Sequence, residues 1–411
     1  MADNGLNMPV KRQTNFFATT MSVAFVFLVP GFFIYHWFGN LGALPMLLGG
    51  YSNESSALVI TWSVLYLLLG IAYGRFHHKV FSNAELMYGV FMLYFSSVAI
   101  THWIIGTERQ VSVSHFASII QLTAAFFVFR YASLDSLALR RVLMVTVVGM
   151  TLLVYQSAYN DTLTLMLAAT DNAKVATYQG LARMFLLSVV VIIAFTQSRY
   201  ARFLYYLNAA VVIFLLGARS EVAGMLVFAA GFEWCFVKRK GLVLFLTLLF
   251  LFVGAAMLMA FLPLLNELLP DSRVLSLLMD YQADGSVLER GELNQFAMKT
   301  INASPFFGSY GSYVEMGGVG SYAHNILSAW VDLGVVGFGL MLALIAVAYM
   351  NLQPKRLKLQ PMEVALQALG VGLLVQTIFF MVAAKGFTDV SVAVLVGVTG
   401  ALRERMRQHV S

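Results

Sequence analysis

Apolar segments long enough to cross a bilayer recur along the whole chain. They fall at 16–38, 57–74, 86–105, 116–134, 142–160, 181–197, 201–218, 221–237, 241–265, 324–350, 362–384 and 387–402. A helix needs roughly 17–25 residues to span the hydrocarbon. Backbone groups in lipid must be bonded internally, so each span is a helix or part of a closed barrel. A barrel would show short alternating strands, and the sequence has none. The last segment is short, so about twelve spans are expected, or eleven if it does not cross. The composition agrees: 60% of the 411 residues are hydrophobic and 11% charged, with a mean hydropathy of +0.79, against about 25% charged in soluble domains.

The expected fold is therefore all-α: a polytopic integral membrane bundle with helices 1–9 in 1–265, one long outer loop over 266–323 containing short helices, and helices 10–12 in 324–411. The first apolar run is longer than a signal-peptide core and lacks a small-x-small site, so it reads as a first membrane helix. The single cysteine, Cys235, rules out an intrachain disulfide and lies in an apolar run, where a buried, inert thiol is expected.

Orientation follows from Lys and Arg, which favour cytoplasmic loops. With a cytoplasmic N-terminus, 18 of the 26 basic residues fall on cytoplasmic ends: Lys11, Arg12, Arg75, Lys79, Arg130, Arg140, Arg141, Arg199, Arg202, Lys238, Arg239, Lys240, Lys355, Arg356, Lys358, Arg403, Arg405 and Arg407. The net charge of +6 is thus spread over loop ends with no continuous basic patch, which argues against a nucleic-acid partner. Membrane lipids are the partner this pattern demands.

The eight outer basic residues need another reason. Arg290 lies in the long loop, where Ser286 and Glu289 have capping-box spacing and a helix is predicted over 287–303, ended by Pro305. Arg290, Leu293, Ala297 and Ile301 share one face of it, so the arginine stands on the apolar side. Arg219 occupies the tight turn in 215-LLGARSEVAG-224, and its fork of donors suits a phosphate. Arg183 and Lys385 also lie near the outer face, where either could assist with an anion. Each of these has a plain alternative as a snorkelling surface cation.

Beyond Pro305, glycines alternate with Tyr310, Tyr313 and Tyr322. Their rings suit a sugar face, or else form an interfacial aromatic belt. His324 and Asn325 follow at the predicted mouth of a membrane helix. There the helix dipole disfavours imidazolium, and a neutral histidine can act as a general base, unless its role is structural. Asp332, about 12 Å further along that helix, is expected to tie helices together through a polar partner. The adjacent His77 and His78 make a poor chelate. No Walker motif, HExxH or cysteine cluster occurs, so no metal or cofactor is expected.

The ordered set of Gly217–Ser220 (G-A-R-S), the arginine-bearing loop helix, Asn302–Gly308 (N-x-S-P-F-F-G) and the G-S-Y-A-H-N of 320–325 resembles the O-antigen polymerase and O-antigen ligase superfamily of bacterial inner membranes. The likeness is strongest over about 200–350. It implies a metal-independent glycosyltransferase acting at the periplasmic face on a glycan carried by undecaprenyl diphosphate. Carried over residue by residue, it makes Arg219 and Arg290 the holders of the diphosphate and His324 the group that deprotonates or orients the attacking sugar hydroxyl. Tyr310, Tyr313, Tyr322, Asn325, Arg183 and Lys385 complete the expected substrate-binding set. The stretch 306–330 is closer in character to the polymerases than to the ligases, which move the glycan to the lipid A core. A separate chain-length regulator is a partner the resemblance allows. The rival from another class is a transporter of lipid-linked or anionic solutes, which would carry broken helices, midplane charges and an internal repeat.

Overall fold

The computed structural model describes residues 16–44, 51–72, 81–160, 177–237, 285–353 and 359–408. Among them the chain is helical, with no strand. The helices are α1 (Phe16–Leu28), α2 (Pro30–Asn40), α3 (Tyr51–Ala72), α4 (Asn83–Ile105), α5 (Arg109–Tyr131), α6 (Leu137–Tyr159), α7 (Tyr178–Ala194), α8 (Arg199–Leu215), α9 (Arg219–Trp234), α10 (Gly285–Ala303), α11 (Leu327–Leu352), α12 (Pro361–Ala383) and α13 (Val390–Gln408). A short 3-10 turn, Ser312–Met316, precedes α11.

Six of these helical stretches are long and apolar enough to cross a membrane: Phe16–Asn40, which joins α1 and α2 across Pro30, then α4, α5, α6, α11 and α12. The expected segments 57–74 and 181–197 form shorter apolar helices, Ser55–Leu68 and Tyr178–Ala194. Helices α8, α9 and α13 carry charged residues along their length, among them Arg202, Glu221, Glu233 and Arg403, which lowers their hydropathy. The segment 241–265 lies outside the described residues. Among the described residues the chain is all-helical, with six helical stretches able to cross a membrane; the expected count of about twelve is not shown.

Local signals place the boundaries. Ser82 and Glu85 form a reciprocal capping box at the start of α4, and Gly106, in the left-handed region at φ 85°, ends it. Glycine adopts that conformation without a Cβ clash. Helix α7 is buried almost all round, from Leu181 to Ala194, which explains an apolar sequence with no polar face. On the periphery, apolar side chains such as Leu93, Val145 and Val382 point outward, a surface suited to lipid tails. Cys235 corrects an expectation: it is exposed, because it follows the last residue of α9 on the outer side of the helix.

The two ends of the bundle differ. At one, Arg130 pairs with Glu85 and Glu404, Arg202 with Glu233 at 2.7 Å, and Arg405 with Asp135 at 2.5 Å. These cations all belong to the set assigned to one face from sequence. At the other end lie Arg183, Arg290, Lys385 and His324.

The His324 end is built on a break in α11. Gly334 leaves helical geometry at φ 66°, ψ −172°. The preceding segment docks there: Ser309 donates its amide to the Val331 carbonyl at 2.7 Å, and Val335 donates to Phe306 at 3.2 Å. The Tyr94 hydroxyl donates to the Leu333 carbonyl at 2.8 Å. Three backbone groups freed by the break are thus bonded, which lowers the cost that lipid would otherwise impose. A second small core, containing Val111, Ala297, Ile301, Tyr310, Tyr313 and Val331, fastens α10 and the 3-10 turn to α5 and α11.

Candidate functional site

Helix α10 presents the predicted face. Leu293, Ala297 and Ile301 are 3%, 2% and 5% exposed, and Arg290, one turn earlier on the same stripe, is half-buried. The helix is described from Gly285, two residues before the expected start, and the Ser286 side chain of the expected cap lies outside the described residues. Among the described residues Arg290 forms no ion pair. Its charge acts instead on Tyr322 and His324.

His324 lies three residues before α11 begins, not inside its first turn. The reason is Asn325: its side-chain oxygen accepts the Leu327 amide at 2.9 Å, and its NH2 donates to Asn294 at 2.8 Å. Asn325 thus starts the helix and ties it to α10. The His324 ring packs against Tyr322 with centroids 4.8 Å apart. Burial, reinforced by the nearby cations Arg290 and Lys385, pushes the His324 pKa down to about 4. The imidazole is neutral at pH 7, as a general base must be.

Tyr322 lines a cavity of about 480 Å³, which His324, Arg290 and Arg219 do not line. One wall is apolar, with Leu28, Phe32, Leu122 and Phe129; another carries Arg183, Lys385, Glu221, Asp389 and Tyr322. The four charged groups form one network. Arg183 contacts Asp389 at 2.6 Å and Glu221 at 3.1 Å, and Lys385 contacts Glu221 at 3.1 Å. The Lys385 ammonium also donates to Gln179 at 2.7 Å, and Arg183 stacks over Phe380 at 4.2 Å. Burial works against ionising Asp389, yet the charges of Arg183 and Lys385 outweigh it and hold its pKa below the ordinary range. The Nε of Arg183 is a buried donor with no hydrogen-bond partner among the described residues.

The sequence-predicted residues separate into groups. Arg290, His324, Tyr322 and Lys385 come together, and Arg183 joins them across the cavity wall. Arg219 is half-buried at the first position of α9, two residues before Glu221. The cations that act on His324 are Arg290 and Lys385. Tyr310 and Tyr313 are 5% and 4% exposed and hold the loop together. Tyr310 stacks on His102 at 4.1 Å and shares a 2.9 Å hydrogen bond with His115 Nδ1.

Sequence reasoning passed over Glu221, Asp389 and His115. All three lie at the ends of, or within, apolar stretches, where an ionisable residue is costly, and that was the available signal. Asp332 has the helix-tying role expected of it. It accepts the Gly311 amide at 2.9 Å and lies 3.6 Å from His115 Nε2. No protein-family model matches the chain, and a comparison with curated proteins finds no relative.

Proposed function

We propose that this protein is an integral-membrane glycosyltransferase that polymerises oligosaccharide units carried on undecaprenyl diphosphate, at the periplasmic face of a bacterial inner membrane. The observation that carries the proposal is a neutral His324 flanked by Arg290 and Lys385, near a cavity with one apolar wall and one wall of ion-paired charged groups. An acceptor sugar hydroxyl attacks the anomeric carbon of the donor and gives its proton to His324. The bond from that carbon to the diphosphate oxygen breaks, and the electron pair leaves with the diphosphate. Arg290 and Lys385 meet the negative charge that develops there, usually a large catalytic contribution, and the resemblance adds Arg219. The apolar wall takes the start of the lipid tail. Ligation of the glycan to the lipid A core uses the same chemistry with another acceptor.

The test sizes the surface and lipid-linked glycans of a strain lacking the protein, restored with wild type or with His324→Ala. Glycan cut to a single repeat on its acceptor, rescued by wild type only, supports the polymerase. Polymer stranded on the lipid carrier makes the protein a ligase. Full rescue by His324→Ala removes the histidine from the reaction.

A second reading, transport of an anionic or lipid-linked solute, draws on the break in α11 at Gly334 beside Asp332 and His115, since interrupted helices line transporter sites. Accumulation of unpolymerised donor on the inner leaflet alone would favour it.

A further inference from the structure

Helix α10 ends at Ala303, and the chain then turns through Pro305 into the segment that docks on α11. The docking is level with Gly334, not with the start of α11 at Leu327. Seven residues of helix put Gly334 about 10 Å below that start. Helix α4 supplies a second ruler. Tyr94, its middle residue, donates its hydroxyl to Leu333, next to Gly334. Half of a 23-residue helix is about 16 Å, and less the reach of the tyrosine side chain it agrees with the first. Both α4 and α11 are long and apolar enough to cross a membrane. Phe306 and Phe307 therefore lie at membrane depth, although they belong to the loop.

After this point the chain climbs again. Ser309 bonds one turn higher, at Val331. Tyr310 stacks on His102, near the end of α4, and Gly311 abuts Glu108 at the α4–α5 turn. The path runs down and back, with Phe306 and Phe307 at its lowest point.

Irregular backbone at such depth is tolerated only where protein meets its hydrogen bonds. Here α11 and the turn itself meet four. The Pro305 carbonyl accepts the Trp330 indole N–H at 2.7 Å, and the Phe306 carbonyl accepts the Val335 amide. The Gly308 amide donates to Ser304 at 2.9 Å and the Ser309 amide to Val331 at 2.7 Å. Pro305 brings no N–H to satisfy. A Cβ at Gly308 would sit 2.3 Å from the Val331 oxygen, so only glycine lets the backbones meet this closely. The polar side of the turn thus faces α11.

The rings face away. Phe306 is 72% and Phe307 89% exposed. Their neighbours on α11, Val335 and Val336, are exposed too, and the exposed stripe continues from Val335 through Leu342 and Tyr349, each seven residues on and so on one helix face. No charged residue occurs in 305–314 or in 333–352. A loop in water buries its rings and solvates its backbone; this one does the reverse.

We infer that the segment 304–309 is re-entrant and that Phe306 and Phe307 insert among the lipid acyl chains of the leaflet on the His324 side. Lipid is the occupant because the rings continue an uncharged stripe that runs the length of a membrane-crossing helix. The inference does not rest on the glycosyl-transfer reading. The insertion fixes the height of α10, and with it Arg290, relative to the bilayer.

The test uses the full chain in lipid nanodiscs, with Cys235→Ser removing the one native cysteine. A nitroxide spin label is attached through Phe307→Cys or, as a control, through Glu315→Cys in the exposed part of the 3-10 turn. The label at 307 should collide several times more readily with oxygen, which concentrates in lipid, than with a water-soluble nickel complex. The label at 315 should show the reverse preference. If Phe307→Cys fails to fold, Phe307→Trp decides alone: its fluorescence should be quenched by phosphatidylcholine brominated on the acyl chains by a larger fraction than that of wild type. Nickel access at 307 equal to that at 315, or a Phe307→Trp signal quenched no more than wild type, overturns the insertion. A label at 307 shielded from both reagents overturns it as well, and spin–spin broadening in that case assigns the surface to a second copy of the chain.

Discussion

The Phe306 carbonyl accepts the Val335 amide at 3.2 Å, so the backbone of the segment before α11 completes the hydrogen bonding of the helix that follows it. The site is thus held by a backbone joint across Gly334. A Cβ at Gly334 would sit 2.3 Å from that same Phe306 oxygen, and a side chain at φ 66° is strained in any case. Gly334→Ala is expected to destabilise the protein by about 1–3 kcal/mol, read as a lower Tm of the purified full chain. A Tm equal to wild type would mean that the joint bends freely.

Arg183 is the hub of the buried charge network. Replacing it with Met leaves Asp389 and the fully buried Glu221 sharing Lys385 alone. Breaking a buried pair by removing one partner costs about 3–5 kcal/mol. Arg183→Met should therefore lower Tm and expression sharply. The double variant Arg183→Met, Asp389→Asn should recover part of the loss, because one uncompensated charge is gone. No recovery in the double variant would place the effect in the stacking on Phe380.

How far the sequence foretold this arrangement depends on the scale of the pattern. The inward face of α10 was legible because Arg290, Leu293, Ala297 and Ile301 repeat at helical spacing, and one buried stripe suffices to orient a helix. The helical membrane character was legible from apolar length. The expected number of spans is not shown, because α8 and α9 are only 17 and 16 residues long and 241–265 lies outside the described residues. The quartet of Arg183, Lys385, Glu221 and Asp389 joins three stretches far apart in the chain, and no local period announces it. Tyr310 and Tyr313 looked like ligand platforms in a glycine-rich run, yet burial against His102, His115 and Asp332 decides their role, and that is a long-range fact. The start of α11 moved three residues from expectation because the Asn325 side chain competes for the Leu327 amide.

Arg290 presents the opposite case to Arg183. It is half-buried, and among the described residues it forms no ion pair, so it contributes little to stability through charge. Arg290→Lys keeps the charge but loses the planar fork that grips phosphate oxygens at two points. The expected result is a wild-type Tm with polymer formation reduced about a hundredfold, the scale of losing one donor aimed at developing charge. The measurement is glycan sizing beside a melting curve of the same preparation. Wild-type polymer length in Arg290→Lys would count against a diphosphate clamp at this position.

The depressed pKa of His324 fixes the sign of one pH effect. The folded value is about 4 against 6.5 for the free side chain, so between these values the unfolded chain binds a proton that the folded chain does not. Stability is then lost as pH falls below about 6.5, because a state that binds more protons is favoured by acid, and the contribution is fully present above that range. His324→Gln cannot titrate, so the gap in Tm between it and wild type should change between pH 7 and pH 4, with wild type losing more. The carboxylates and the other histidines titrate in both proteins, so the difference isolates His324. Parallel Tm curves over that range would mean that the imidazole is protonated equally in both states, and a histidine without that depression would not be held neutral by burial and the charges of Arg290 and Lys385.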